Sequence, residues 1–204
     1  MSYAELMAMS NFTFLQGASH AEELVARACE LGLKAISITD VNTFAGIVRA
    51  HAAAKEAGLH YVVGVCLQLR DGEKILAYPK DRAAYGRLCR LLTIGKRRTV
   101  KGSCDLSVDD LLAWGTGSLL IAVADDRYHV SDLTRRLRKQ FGEAVYLGVA
   151  PRYDGADPAR VARAAETAQR IGAPLVALGD VMMHRAGRRM LADVLSCIRE
   201  GVTI

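Results

Sequence analysis

A chain of 204 residues with 51% apolar content has the length for one domain, or a domain and a half, around a full core. No apolar run reaches the roughly 18 residues of a membrane span, and a net charge of +5 permits a nucleic-acid partner without requiring one. Five scattered cysteines (Cys29, Cys66, Cys89, Cys104, Cys197) form no C-x-x-C pair, which argues against a disulfide framework or zinc site and for reduced thiols in a cytoplasmic protein.

The first five residues, Met1 to Glu5, lack the basic-then-apolar order of a signal peptide. Leu6 to Gly17 reads as a strand end running into a loop. Ser19 and Glu22 form an S-x-x-E capping box for a helix striped by Leu24, Val25, Ala28 and Leu31 and stopped by Gly32. Lys34 to Ile38 is a short buried strand ending at Thr39-Asp40. A helix from about Thr43 to Ala57 closes at Gly58, and Tyr61 to Val65 is the next strand. Asp71-Gly72, set between Leu67-Gln68-Leu69 and Ile75-Leu76-Ala77, predicts a hairpin.

Asp81 caps a helix through Tyr85, Leu88, Leu91 and Leu92 that ends at Gly95, and Lys96 to Lys101 follows as a basic loop. Ser107 with Asp110 starts the short helix Leu111 to Trp114. Leu119 to Val123 and Val145 to Val149 are strands flanking a basic helix over Ser131 to Phe141. Asp157 at N-cap and Pro158 at N1 open a helix to Ile171, closed by Gly172 and Pro174. Leu175 to Leu178 is the last strand and Arg188 to Arg199 the last helix. The alternation argues for βαβ units and a parallel sheet, open or closed into an irregular barrel. The stop at Ile204, straight after a helix, reads as the edge of a fragment of a longer polypeptide.

Several separated stretches agree with one family. Leu6-Met7-Ala8-Met9-Ser10-Asn11-Phe12 resembles the opening strand of PHP (polymerase and histidinol phosphatase) domains, where His-x-His stands. The stretches Ser10 to His20, Ile38-Thr39-Asp40, Tyr85 to Leu92, Gly179 to His184 and Ala192 to Glu200 together resemble the N-terminal PHP domain of bacterial error-prone DNA polymerases, relatives of the polymerase III alpha subunit. The resemblance covers residues 1–204 as one PHP domain. It implies an α/β fold of mostly parallel strands, a distorted (β/α)7 barrel of the PHP type, with metal ligands at the C-terminal mouth.

Carried over position by position, that ligand set is eroded. Met7 and Met9 stand where the histidine pair would be, Gln16 in place of an aspartate, Val41 of a histidine, Cys66 of a glutamate and Met182 of a histidine. Lys74 takes a further histidine's place, and Ala124 that of a cysteine or histidine. Asp40 and Asp180 survive as vestiges. Zinc, manganese and magnesium need imidazole or carboxylate donors, usually three or more per ion, and a thioether suits none of them. No metal and no catalytic residue is therefore expected in this domain.

The expectations for single residues follow. Met7 and Met9 fill the vacated cavity, Asp40 and Asp180 accept from loop amides, and Cys66 is a structural thiol. His20 and His184 are ordinary helix-start or surface histidines. Lys96, Arg97, Arg98 and Lys101 are candidates for DNA phosphate contact, whereas Arg135, Arg136, Arg138 and Lys139 read as a solvated face. A third cluster is Arg185, Arg188 and Arg189. No Walker loop, G-x-G-x-x-G, G-x-S-x-G or H-E-x-x-H is present.

The resemblance thus implies a silent structural module of an error-prone polymerase. Its partners would be the polymerase core of the same chain, DNA through the parent enzyme, the sliding clamp and accessory mutagenesis proteins, with magnesium only at the polymerase centre and no membrane. Two other classes stay open: a phosphoesterase or 3'-5' proofreading exonuclease with a rearranged metal site, and a pure docking module.

Overall fold

The computed structural model describes residues 3–125 and 130–204. Met1 and Ser2, part of the stretch read for a leader, lie outside the described residues. In chain order the elements are β1 (Ala4–Ala8), α1 (Ala21–Glu30), β2 (Ala35–Ile38), α2 (Ile47–Glu56), β3 (His60–Tyr61), β4 (Val65–Gln68), β5 (Lys74–Pro79) and α3 (Arg82–Arg97). They continue with α4 (Val108–Trp114), β6 (Ser118–Val123), α5 (Val130–Phe141), β7 (Val145–Val149), α6 (Asp157–Ile171), β8 (Leu175–Ala177) and α7 (Arg189–Glu200). The class is α/β with mostly parallel strands, as the sequence predicts. The chain forms two compact units, Met1–Val65 with Gly179–Ile204, and Cys66–Leu178.

The first unit carries a parallel sheet in the order β1-β2-β3. Ala21, Leu24, Val25 and Ala28 recur at helical spacing on α1 and pack with Ala50 and Ala54 of α2 against Ala8, Ile36 and Ile38. Each fully buried Leu or Val in that cluster contributes about 1.5–3 kcal/mol. Leu31, placed on the stripe by its sequence spacing, is instead the exposed C-cap residue. Gly32, at φ +67°, follows it, and the amides of Gly32 and Leu33 close the helix on Cys29 and Ala28.

The N-terminal cap of α1 lies one residue later than the S-x-x-E pattern predicts. His20 is the N-cap, and its amide donates to Glu23 Oε2 at 2.9 Å. The Ser19 hydroxyl is occupied elsewhere, with the amide and ring of His184. Helix α2 starts at Ile47 rather than near Thr43, because the Thr43 hydroxyl draws the Ala45 amide into a turn ahead of the helix. The predicted strand Tyr61 to Val65 is two: β3 ends at Tyr61 and β4 begins at Val65.

The second unit carries a sheet in the order β4-β5-β6-β7-β8, with β5 antiparallel to β6 and the following pairs parallel. The β4–β5 hairpin turns at Asp71-Gly72, where Gly72 takes φ +97° and Leu69 N donates to Glu73 O at 2.9 Å. Ile75, Leu76 and Ala77 are buried on both faces of β5. Asp81 caps α3 by accepting from Ala84 N at 2.7 Å, as predicted.

Gly95 does not end that helix, which runs on to Arg97. A Cβ at Gly95 would stand 2.5 Å from Leu106 Cδ2 and 2.8 Å from Cys104 Sγ, so the glycine is a point of close packing. Asp157 is the first residue of α6 rather than its N-cap; its carboxylate holds the amides of Arg152 and Tyr153 and pairs with Arg160.

Candidate metal centre

Strand β1 is hydrogen-bonded on both sides within the first unit. Thr39 N donates to Ala8 O, while Met9 N donates to Val181 O and Val181 N to Met7 O. Its register with β2 slips between Glu5 and Ala8, which interrupts the two-residue alternation of a regular strand there. Both methionines nevertheless point inward, Met7 at 1% and Met9 at 2% exposure. They are packed core, as their adaptable thioethers allow.

The loop after β1 is cinched onto Asp40. Asp40 Oδ1 accepts from Ser10 N at 2.8 Å and from Thr13 Oγ1 at 2.8 Å, and Oδ2 accepts from Ser10 Oγ at 2.7 Å. Thr13 Oγ1 in turn accepts from Val41 N at 3.0 Å, and Ser10 Oγ from Phe12 N at 3.2 Å. Burial pushes the Asp40 carboxyl above the usual range, and the donors from Ser10 and Thr13 oppose that shift. Space is tight: a Cβ at Gly46 would meet Asp40 Oδ2 at 2.4 Å, and one at Gly17 would meet Ser10 O at 2.0 Å. Of the loop amides expected to serve Asp40, Ser10 N does so, while the other two donors are the side-chain hydroxyls of Ser10 and Thr13.

Asp180 differs from its expectation. It sits at φ +49°, and its Oδ1 is buried with no hydrogen-bond partner. The neighbouring Gly179 amide donates to Glu5, a residue that motif reading passed over. Glu5 is buried in β1; its Oε1 accepts from Met7 N at 2.8 Å and Gly179 N at 3.1 Å, and its Oε2 from the Tyr3 hydroxyl at 3.1 Å. Burial raises the Glu5 carboxyl above the usual range; its hydrogen bonds oppose this and the nearby Asp180 charge adds to it. The available signal was an acidic residue in an otherwise apolar strand, Ala-Glu-Leu-Met-Ala.

The other replaced ligand positions of the first unit offer no imidazole or carboxylate. Gln16 is half-buried in the loop, Val41 is aliphatic, and Met182 is 41% exposed. His20 is the exposed N-cap of α1, whereas His184, expected at a helix start or on the surface, is only 13% exposed at its side chain, with Nδ1 2.8 Å from Ser19 Oγ and 3.8 Å from Glu23 Oε2. In the second unit Cys66 is buried in β4, Lys74 opens β5, and Ala124 N donates to Gly148 O.

Among the described residues no three His, Cys, Asp or Glu side chains gather to hold an ion. Three carboxylates, Glu5, Asp40 and Asp180, that do not gather into one ligand set and have thioether, amide and aliphatic neighbours do not fit a hard divalent cation. None of the described cysteines is joined in a disulfide.

Lys96 and Arg97 lie in the last turn of α3, and Lys101 in the loop beyond; all three are exposed. Arg98 is committed to a two-pronged pair with Asp110, which the Ser107 capping box also holds. In the other clusters Arg135 pairs with Asp132, Arg136 with Asp109 and Arg188 with Glu23, while Arg138 donates to Gly142 O. Among the described residues no helix is long and apolar enough to cross a membrane.

The PHP domain model matches residues 5–151. The error-prone DNA polymerase of Ruegeria pomeroyi is 46% identical over the whole of this chain. Error-prone DNA polymerase 1 of Agrobacterium fabrum and the error-prone DNA polymerase of Caulobacter vibrioides are 44% and 45% identical over 99% of it. The chain spans 22%, 19% and 19% of those three relatives.

Among solved structures, a protein of Bifidobacterium adolescentis assigned as a metal-dependent phosphoesterase superposes with a TM-score of 0.67 at 16% identity, covering 91% of this chain and 89% of its own. An amidohydrolase of Chromobacterium violaceum, with sulfate and no metal, gives 0.61 at 18% identity, with 89% and 88% covered. At such identities the likeness concerns the fold alone.

Proposed function

Because the chain belongs to the PHP domain family, we propose that it is a catalytically silent, metal-free PHP domain, a structural module of an error-prone DNA polymerase acting in damage-induced translesion synthesis. One observation carries the reading. The positions of the first histidine pair are buried methionines, and the surviving Asp40 spends its oxygens on Ser10 and Thr13. Without an ion, nothing lowers the pKa of a water or neutralises a phosphate.

In this reading residues 1–204 form the PHP domain of a longer chain and brace its polymerase core. Nucleotidyl transfer, and the magnesium it uses, belong to that core. DNA meets the parent enzyme, with Lys96, Arg97 and Lys101 offering phosphate contacts. The sliding clamp and accessory mutagenesis proteins are its further partners in the cytoplasm. The test is elemental analysis of the purified protein, with a nucleotide-release assay in manganese. The reading expects well under one equivalent of zinc or manganese and no release; one or more equivalents with manganese-stimulated release overturns it.

One observation favours a second reading, a phosphoesterase or 3'-5' exonuclease with a rearranged site: the buried, unpartnered Asp180 Oδ1 beside Glu5. Glu5→Gln would abolish metal uptake in that case and leave it unchanged at zero in ours.

A further inference from the structure

Helix α7 hides little of itself. Only Ala192 is fully buried, while Met190 is 76% exposed and Ile198 59%. With 3.6 residues per turn, Met190, Val194, Ile198, Leu191 and Leu195 fall within one arc of about 140°. The charged residues Arg189, Asp193, Arg199 and Glu200 lie outside it, and Arg189 pairs with Asp193 and Arg199 with Glu200. At its edge, Leu191 and Leu195 join Phe14 and Leu15 in walling a groove of about 300 Å³. Phe14 itself is 80% exposed. On the rim of the groove, Arg188 gives one guanidinium nitrogen to Glu23, but its Nε is buried without a partner.

A solvated helix face would carry charge on this arc; it carries aliphatic side chains continuous with an exposed aromatic. Contiguous apolar surface of this kind marks an interface. We propose that the α7 arc, with Phe14, seats an apolar segment of the polymerase portion of the longer chain. That segment would fill the groove with an apolar side chain packed against Phe14, Leu191 and Leu195. The inference rests on the reading under Proposed function. Its occupant is argued from length: the relatives match this chain end to end, yet about four fifths of each lies outside the match.

The test is hydroxyl-radical footprinting of the full-length polymerase carrying this domain, read residue by residue and compared with the urea-unfolded chain. Phe14, Met190 and Ile198 are expected to label about tenfold more slowly in the folded enzyme, the behaviour of a desolvated interface core. The double substitution Met190→Glu/Ile198→Glu is expected to raise Phe14 labelling and lower the melting temperature of the full-length enzyme. Labelling of the three residues within about twofold of the unfolded chain overturns the proposal, since a free surface is not desolvated. Protection that grows with protein concentration, alongside a dimer in light scattering, also overturns it by making a second copy the occupant. Uptake of a metal ion would sink the silent-domain reading while leaving the footprint as predicted, so the two failures are distinguishable.

Discussion

The Ser10 hydroxyl donates to Asp40 Oδ2 at 2.7 Å, while the amide of the same residue donates to Oδ1 at 2.8 Å. One serine thus clasps both oxygens of a carboxylate 30 positions away, and Thr13 adds a third donor. The loop after β1 does for this buried charge what an ion would otherwise do.

Removing those donors is expected to destabilise the fold. Ser10→Ala strips one hydrogen bond from a buried charged acceptor, a loss of about 1–3 kcal/mol. Thr13→Ala is expected to cost a similar amount, because Val41 N loses its acceptor just as Phe12 N does in Ser10→Ala. Urea melts check this; midpoints equal to that of the parent chain would show that Asp40 is served by other groups.

Acidity separates the two buried carboxyls from the surface ones. Glu5 and Asp40 both bind their proton more tightly in the folded chain, burial being the first cause. Their contribution is full below their ordinary values of 4.5 and 3.8 and is lost as the pH rises through the raised folded values. Asp110, held well below its ordinary value by Arg98, works oppositely, giving stability above 3.8 that is lost at more acidic pH.

Glu5→Gln should remove the Glu5 part of that slope. Both amides use Oε1, which glutamine keeps, and Nε2 can donate to the Tyr3 oxygen. At pH 7 this variant is expected to be at least as stable as the parent chain, whereas Glu5→Ala strands two amides at a cost of about 1–3 kcal/mol. Parallel stability-versus-pH lines for the parent and Glu5→Gln would reject the assignment.

Restoring histidines alone is expected to fail. Met7→His/Met9→His puts two imidazoles where two buried thioethers pack, costing about 1–3 kcal/mol for each ring left without a partner. Gln16, Val41 and Met182 still supply no imidazole or carboxylate. Phosphatase turnover in manganese from this double variant would show that the donor count is wrong.

For DNA, the exposed cations of the α3 end divide by their partners. Lys96→Ala/Lys101→Ala in the full-length enzyme is expected to lower the slope of log affinity against log salt by about 0.9 for each phosphate no longer neutralised. Arg98→Ala is expected to loosen α4 through Asp110 and leave that slope unchanged. Fluorescence anisotropy across a salt series distinguishes the two.

Most elements were legible because local rules set them: the Asp71-Gly72 turn, the Asp81 cap and the Ser107–Asp110 box need only neighbours in sequence. What sequence reading misplaced depends on distant partners. Ser19 reads as an N-cap until His184 takes its hydroxyl, 165 positions on. Gly95 reads as a stop until Leu106 and Cys104 crowd the helix from the side. At the centre, the methionines and Asp40 were readable from the motif. Glu5 was not, because its role comes from a slip in strand register and from the Gly179 amide, 174 positions away.

That last separation bears on how the chain is made. The unit holding Met7 and Met9 is split in sequence, while Cys66–Leu178 is continuous. On the ribosome the continuous unit can finish while β1 still waits for Val181, its second hydrogen-bonded neighbour. Any product released before Gly179 is translated keeps an open, apolar strand edge, a template for self-association.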